Sequence, residues 1–197
     1  MKCIHTIHIR KPIRTAVAVF ALAAVPAGAV AVPTYAAPTT TTTAAAGCAT
    51  GWGSLPEAST WQGPGQLTNV RTGRHPCFDR IVFDVKGKPS WYRVNYVPNV
   101  YTVGEGKLIP LRGGAKLQIV LLAPSYDDDG RPTYKPADYD ELTNVSGYRT
   151  FRQVVSAGSF EGETVIGVGV RARLPFRVFT LTGSGTGRIV VDVAHTW

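Results

Sequence analysis

The chain reads as all-β, a single mostly antiparallel β-sandwich. Three observations predict this. Short runs rich in β-branched and aromatic residues recur at 67–71, 80–85, 92–97, 107–111, 116–122, 151–155, 164–170, 176–181 and 188–194. Turn residues separate most of them: Gly87, Gly104 to Gly106, Gly113-Gly114, Gly130, Gly162, and the run from Gly183 to Gly187. Helical periodicity is weak, and only residues 138–144 predict as much as one helical turn. Regular short strands with such punctuation point to a sandwich or barrel.

The first 36 residues stand apart from that pattern. Lys2, Arg10, Lys11 and Arg14 form a positive region, and Ala16 to Val25 an apolar one that Pro26 and Gly28 break. Ala29-Val30-Ala31 and Thr34-Tyr35-Ala36 fit a small-x-small cleavage pattern. Residues 1–36 therefore read as a signal peptide. The apolar run is shorter than the roughly 18 to 20 residues a bilayer span needs, and no later segment predicts a span. Residues 37–47 are a Thr/Ala-rich tether, expected to be disordered. Ala45-Ala46-Gly47-Cys48 has the look of a lipobox, but the run Thr39 to Thr43 separates it from the apolar region, which argues against acylation at Cys48. Residues 48–197 form the domain.

Charge and cysteines bound what that domain does. Four of the 21 basic residues and none of the 13 acidic ones fall in the leader, leaving the exported part at +4. That modest bias suits polyanionic surfaces such as cell-wall polymers and is too weak to argue for nucleic acid. Cys3 leaves with the leader. Cys48 and Cys77 remain, an even pair in an exported chain, which predicts one disulfide. Cys48 and Cys77 are 29 positions apart, and closing a loop of that length is worth about 3.6 kcal/mol in chain entropy.

Two strands echo one another: Arg80-Ile81-Val82-Phe83-Asp84-Val85 and Arg188-Ile189-Val190-Val191-Asp192-Val193. Alternation puts Ile81, Phe83 and Val85 on one face and Arg80, Val82 and Asp84 on the other, with the second strand divided in the same way. The echo fits cross-strand Arg–Asp pairing on a solvated sheet face, or two pseudo-symmetric halves.

The densest chemistry lies in Arg71-Thr72-Gly73-Arg74-His75-Pro76-Cys77-Phe78-Asp79-Arg80. Arg71, Arg74 and Arg80, with Arg171, Arg173 and Arg177 from a second segment, would form a cationic face if the two segments lie side by side. Guanidinium groups make paired hydrogen bonds to carboxylates and phosphates. The same arginines could instead pair with Asp79, Asp84, Glu161 and Asp192. Trp52, Trp61, Trp91, Tyr92, Tyr96, Tyr101 and Trp197 suit either sugar stacking or core packing, and Trp91 follows a turn that could expose it. The candidate ligand-binding set is thus Arg71, Arg74, His75, Arg80, Arg171, Arg173, Arg177 and Trp91, although His75 before Pro76 also reads as a turn residue.

No catalytic signature is present. His75 and His195 match no metal-ligand spacing, so neither a metal nor a cofactor is expected. No serine lies in a Gly-x-Ser-x-Gly elbow. Asp127-Asp128-Asp129-Gly130 lacks the alternating ligands of a calcium loop and reads as a solvated hairpin tip. The run Thr182 to Gly187 lacks the Gly-Lys-Ser/Thr ending of a phosphate loop and reads as a flexible hairpin loop.

Five motifs in order carry a resemblance. Gly51-Trp52-Gly53-Ser54, the stretch from Arg71 to Phe83, Val168-Gly169-Val170-Arg171, Pro175-Phe176-Arg177-Val178, and the terminal run from Val190 to Trp197 resemble the AMIN-like domain proteins of high-GC Gram-positive bacteria. The resemblance spans the domain and implies a secreted or lipid-anchored protein related to AMIN domains. Those are small β-sandwiches that tether amidases and secretins to the envelope, with peptidoglycan as proposed ligand. It implies a non-catalytic binding module for peptidoglycan or an attached anionic glycopolymer. An exported protein bound through a sheet edge and regulated by it is one alternative partner. A cell-wall hydrolase is another reading. The chain departs from AMIN proteins in carrying no amidase or secretin domain.

Overall fold

The computed structural model describes residues 47–48, 50–60, 63, 65–89 and 91–197. The leader and residues 37–46 of the tether lie outside the described residues, as does Trp61. Among the described residues eleven strands follow in order: β1 (Glu57–Ala58), β2 (Gly65–Arg74), β3 (Phe78–Gly87), β4 (Tyr92–Val97), β5 (Val100–Tyr101), β6 (Leu108–Ile109), β7 (Ala115–Leu121), β8 (Phe151–Phe160), β9 (Glu163–Val170), β10 (Phe176–Gly183) and β11 (Thr186–Ala194). All pairings are antiparallel. One sheet has the order β1-β4-β7-β9-β8, the second β10-β11-β3-β2, and β5 and β6 form a small ribbon. All nine predicted strands are present, although that at 107–111 shrinks to two residues.

The inward residues of the two sheets make the main core. Ile81, Phe83, Ile189, Val191 and Phe176 of the four-stranded sheet meet Val94, Leu117, Ile119, Ile166 and Val168 of the five-stranded one, all at 1% exposure or less. The alternation read from the sequence for β3 and β11 is therefore the one that folds. Cys48 and Cys77 form the predicted disulfide, with Cα atoms 5.1 Å apart. The sulfur that a lipobox would acylate is held in that bond.

The five-stranded sheet is covered on its outer face as well. Val120, Val155 and Val165 lie there, under Val100, Ile109 and Leu111 from the 98–112 segment. Gly167 and Gly169 make room for this flap. A Cβ built at Gly167 would come within 3.3 Å of Val100, and one at Gly169 would overlap the carbonyl oxygen of Arg112. Gly169→Ala is therefore expected to lift the flap and destabilise the protein by about 2 kcal/mol. Denaturant unfolding checks this, and an unchanged midpoint would mean the flap is not seated there.

Residues 138–144 form no helical turn. Asp138 Oδ1 accepts from the Asp140 N–H at 2.8 Å, and Asn144 Oδ1 from the Ser146 N–H at 2.9 Å. These short side chains satisfy the backbone locally and compete with helix. The acidic turn closes as expected, with Asp127 Oδ1 accepting from the Asp129 and Arg131 N–H groups. The run Thr182 to Gly187 is tighter than a flexible loop. The ladder continues to the Gly183–Thr186 pair, so only Ser184 and Gly185 turn the chain. Gly185, the second central residue, supplies the positive φ (70°) that a type II turn requires there.

Candidate functional site

The outward face of the four-stranded sheet is built from arginine. β3 and β11 are neighbours, and their register sets Arg80 opposite Asp192 and Arg188 opposite Asp84, with Val82 opposite Val190 between them. The echoed motif is thus complementary to itself when run antiparallel. It marks two strands that pair, and the Arg–Asp reading of the echo holds.

Flanking strands complete two clamps. Asp192 is fully buried. Its Oδ1 and Oδ2 accept from Arg80 Nε and Nη2 at 2.6 and 2.9 Å, and Oδ2 also accepts from Arg177 Nε on β10 at 2.9 Å. Asp84 accepts from Arg71 Nε and Nη2 on β2 at 2.8 and 3.0 Å and lies 3.5 Å from Arg188 Nε. Each carboxylate is shared by two arginines. These side chains cover Val82 and Val190, which are 5% and 1% exposed although they face outward.

Aromatic rings brace one clamp. The Arg177 guanidinium carbon lies 4.4 Å from the Trp52 ring centre and 5.1 Å from that of Phe179. Arg80 lies 5.2 Å from Phe78 and 5.3 Å from Phe179. Trp52 reaches this face because Gly53 bridges Phe176 at the edge of β10. His75 stacks on Phe78, with ring centres 4.4 Å apart.

The pairs tune their members. The hydrogen bond from Arg71 holds the Asp84 carboxyl below its ordinary value of 3.8, against a smaller opposing effect of burial. Hydrogen bonding to Asp84 and Asp192 raises Arg71 and Arg80 in turn. A depressed aspartate stabilises the fold fully above its unfolded value, and that stability is lost as pH falls through the lower folded value. Asp84→Asn is therefore expected to lower Tm at pH 6, with the gap to wild type closing below about pH 3.8. A gap that is the same at both ends of the range would contradict this.

The structure sorts the remaining predicted residues. Arg74 lies at the end of β2 over the Tyr148 ring, 5.9 Å from its centre, and among the described residues no carboxylate pairs with it. Arg171 donates to the carbonyl of His195. Arg173 donates to Ser54 Oγ and O at 3.0 and 2.8 Å and lies over Tyr96. These two tie chain segments together and do not join the arginine face. Trp91 packs against the cluster beneath the flap, on the other side of the sandwich. Arg188 and Trp52 belong to the face without having been in the candidate set. Only the register of β11 and the Gly53 bridge bring them there.

Each side-on Arg–Asp pair uses two of a guanidinium's five N–H groups and leaves three for another acceptor. Four arginines set against two aspartates give the face an excess of two positive charges, and Lys86 lies on the same side of β3. Arg71, Arg177 and Arg188 are 49%, 44% and 51% exposed. The face can thus receive a carboxylate or phosphate without desolvating an unpaired cation. Among the described residues, no three His, Cys, Asp or Glu side chains are grouped to hold a metal ion, and no helix is long and apolar enough to cross a membrane. Neither the curated proteins nor the solved structures contain a match to this chain. A family match does exist, over residues 65–195, which takes in ten of the eleven strands and every arginine of the face, and by it the chain belongs to the AMIN-like domain family.

Proposed function

We propose that this protein is an exported, non-catalytic binding module of the cell envelope. Its ligand is peptidoglycan or an anionic polymer attached to it. The observation that carries this reading is the arginine surplus on one sheet face, held flat by two aspartates and flanked by Trp52 and Phe179. Stem-peptide carboxylates or polymer phosphates would bridge the remaining N–H groups of Arg71, Arg177 and Arg188, and a sugar ring would lie against the half-buried aromatic edge. Arg74, whose register partner is Asp79 and whose guanidinium lies over Tyr148, is turned to the other side of the sheet and adds nothing to this face. The disulfide fits an oxidising, extracellular setting, and family membership supports the envelope.

Co-sedimentation of the purified protein with insoluble peptidoglycan, with and without its attached polymers, tests this across a salt series. Binding is expected to weaken steeply with salt. Arg188→Ala is expected to weaken it several-fold with little loss of stability, because that side chain makes the longest ion pair of the face, 3.5 Å. Retention by neither preparation at low salt would overturn the reading. Loss of retention on stripping the polymers would assign the ligand to them.

A further inference from the structure

Protein sheets defend their edges, because an open row of N–H and C=O groups recruits other strands. Among the described residues, three of the four edges of the two larger sheets are defended. β1 is two residues long. β8 carries two bulges, and the edge also meets Leu142 N, Val103 N and Tyr139 O from passing loops. β2 carries a bulge and the charges of Arg71 and Arg74, and Leu67 is bonded to Pro124. β10 is different.

The first half of the β10 edge is occupied by the chain itself. The Phe176 N–H donates to Gly53 O at 2.8 Å, and the Val178 N–H to the Glu57 carboxylate at 3.0 Å. Those contacts fix which residues point away from β11: Phe176, Val178, and by alternation Thr180 and Thr182. Among the described residues, nothing meets Thr180 and Thr182 on that side. The segment Phe179-Thr180-Leu181-Thr182-Gly183 has no charge, no proline and no bulge. Leu181 lies in its middle on the outer face and is 45% exposed.

We infer that this half-edge pairs with the same half-edge of a second copy, in a two-fold antiparallel register centred on Leu181. A shift towards Thr180 would drive the second strand into the Glu57 contact, so the chain's own cap sets the register. Thr180 then faces Thr182 of the other copy, and each such pair exchanges both backbone hydrogen bonds. Leu181 meets its own equivalent at the close, non-hydrogen-bonded spacing of about 4.5 Å between Cα atoms. Phe179 lies across from Gly183, where an aromatic ring covers the backbone that glycine leaves bare. No charged residue falls in the overlap. The two Arg188 side chains stay about three strand spacings apart, roughly 14 Å, beyond the screening length at physiological salt.

Such a contact is small, which places it in the weak, transient class. Its consequence is geometric. The two-fold axis stands perpendicular to the sheet, so the four-stranded sheets join into one of eight strands with both arginine faces on the same side. A repeating ligand would then be held at two sites, and modest single-site affinity becomes avidity. The pairing itself does not depend on what the arginine face binds.

Sedimentation velocity on the full chain over a wide concentration range reads the association directly. Wild type is expected to move from monomer to dimer. Thr180→Pro removes an outward N–H that the monomer does not use, a position where an edge strand tolerates proline. Leu181→Lys sets like charges together on the axis. Both are expected to raise the dimer dissociation constant at least about tenfold, Thr180→Pro with the wild-type Tm and Leu181→Lys with a small loss of Tm, because Leu181 lies opposite Arg188 in the monomer. Leu181→Cys is expected to give a covalent dimer on mild oxidation, since the close pair falls within disulfide reach. Adding Thr180→Pro to that variant is expected to abolish the crosslink. A wild type that stays monomeric at every concentration overturns the proposal, as does a dimer unaffected by either substitution. Wall retention by a strictly monomeric protein would leave the binding function standing without the dimer.

Discussion

Replacing Asp79 with alanine is expected to cost about 4 kcal/mol. Asp79 is fully buried where β3 begins, and His195, just beyond β11, is 2% exposed. The carboxylate does three things at once. Its Oδ2 accepts from the Thr150 and Phe151 N–H groups at 2.6 and 3.1 Å, and its Oδ1 meets His195 Nε2 at 3.0 Å. The other ring nitrogen of His195 faces the carbonyl of Pro76 at 3.2 Å, next to the disulfide. Three separate parts of the chain thus converge on one side chain: the 74–77 turn, the start of β8 and the C-terminal run. Truncation leaves two backbone donors and a ring nitrogen in a dry interior, each at about 1–3 kcal/mol. Asp79→Asn keeps the shape: its amide oxygen can take the Thr150 and Phe151 N–H groups and its N–H₂ can donate to His195 Nε2 in the tautomer whose Nδ1–H faces Pro76 O, so it is expected to recover more than half the loss. Chemical denaturation checks both, and a shift under about 1 kcal/mol for the alanine variant would mean the network is already hydrated. The arrangement is structural. Asp, His and the Thr150 hydroxyl lie together, yet that hydroxyl donates to Ala194 O and is sealed from solvent.

The sequence made the strands legible because each buries one face, and a period of two survives any uncertainty about neighbours. The Arg-Ile-Val-x-Asp-Val echo was legible as a pattern but not in its meaning. Whether it marked repetition or pairing depended on register, and register is set by a hairpin and a core more than a hundred residues apart in the chain. The same limit hid Asp79 and His195, which are 116 positions apart and carry no local sign of one another. Trp91 was ambiguous for another reason. Its exposure is decided by the 98–112 flap, and that flap is announced only by Gly167 and Gly169, glycines in a strand whose significance lies in what approaches them. Arg171 and Arg173 looked equivalent to Arg177 in composition. Pro175 ends the irregular stretch holding the first two, whereas Arg177 lies in β10 and inherits the sheet face. The helical turn expected at 138–144 failed through Asx geometry, which composition hints at and hydropathy does not.

Asp192→Ala is expected to separate stability from binding, because it acts on both in opposite directions. Asp192 is as buried as Asp79, but its partners are not. Arg80 and Arg177 are 26% and 44% exposed and can turn their freed N–H groups to water. The cost is therefore smaller than at Asp79, about 3 kcal/mol, made up of lost charge-assisted hydrogen bonds and of packing over Val82 and Val190. Binding moves the other way. Removing one of the two aspartates raises the excess charge of the four arginines from two to three and returns two guanidinium forks to the surface. At a temperature where the variant remains folded, its affinity for an anionic wall preparation is expected to rise several-fold and to depend more steeply on salt. If the arginines serve only to hold the sheet, the variant would lose Tm and bind no better than wild type. If they hold the ligand, it would lose Tm and bind more tightly. The aspartates would then set affinity, keeping the face rigid and only moderately charged so that the domain releases its polymer as readily as it binds.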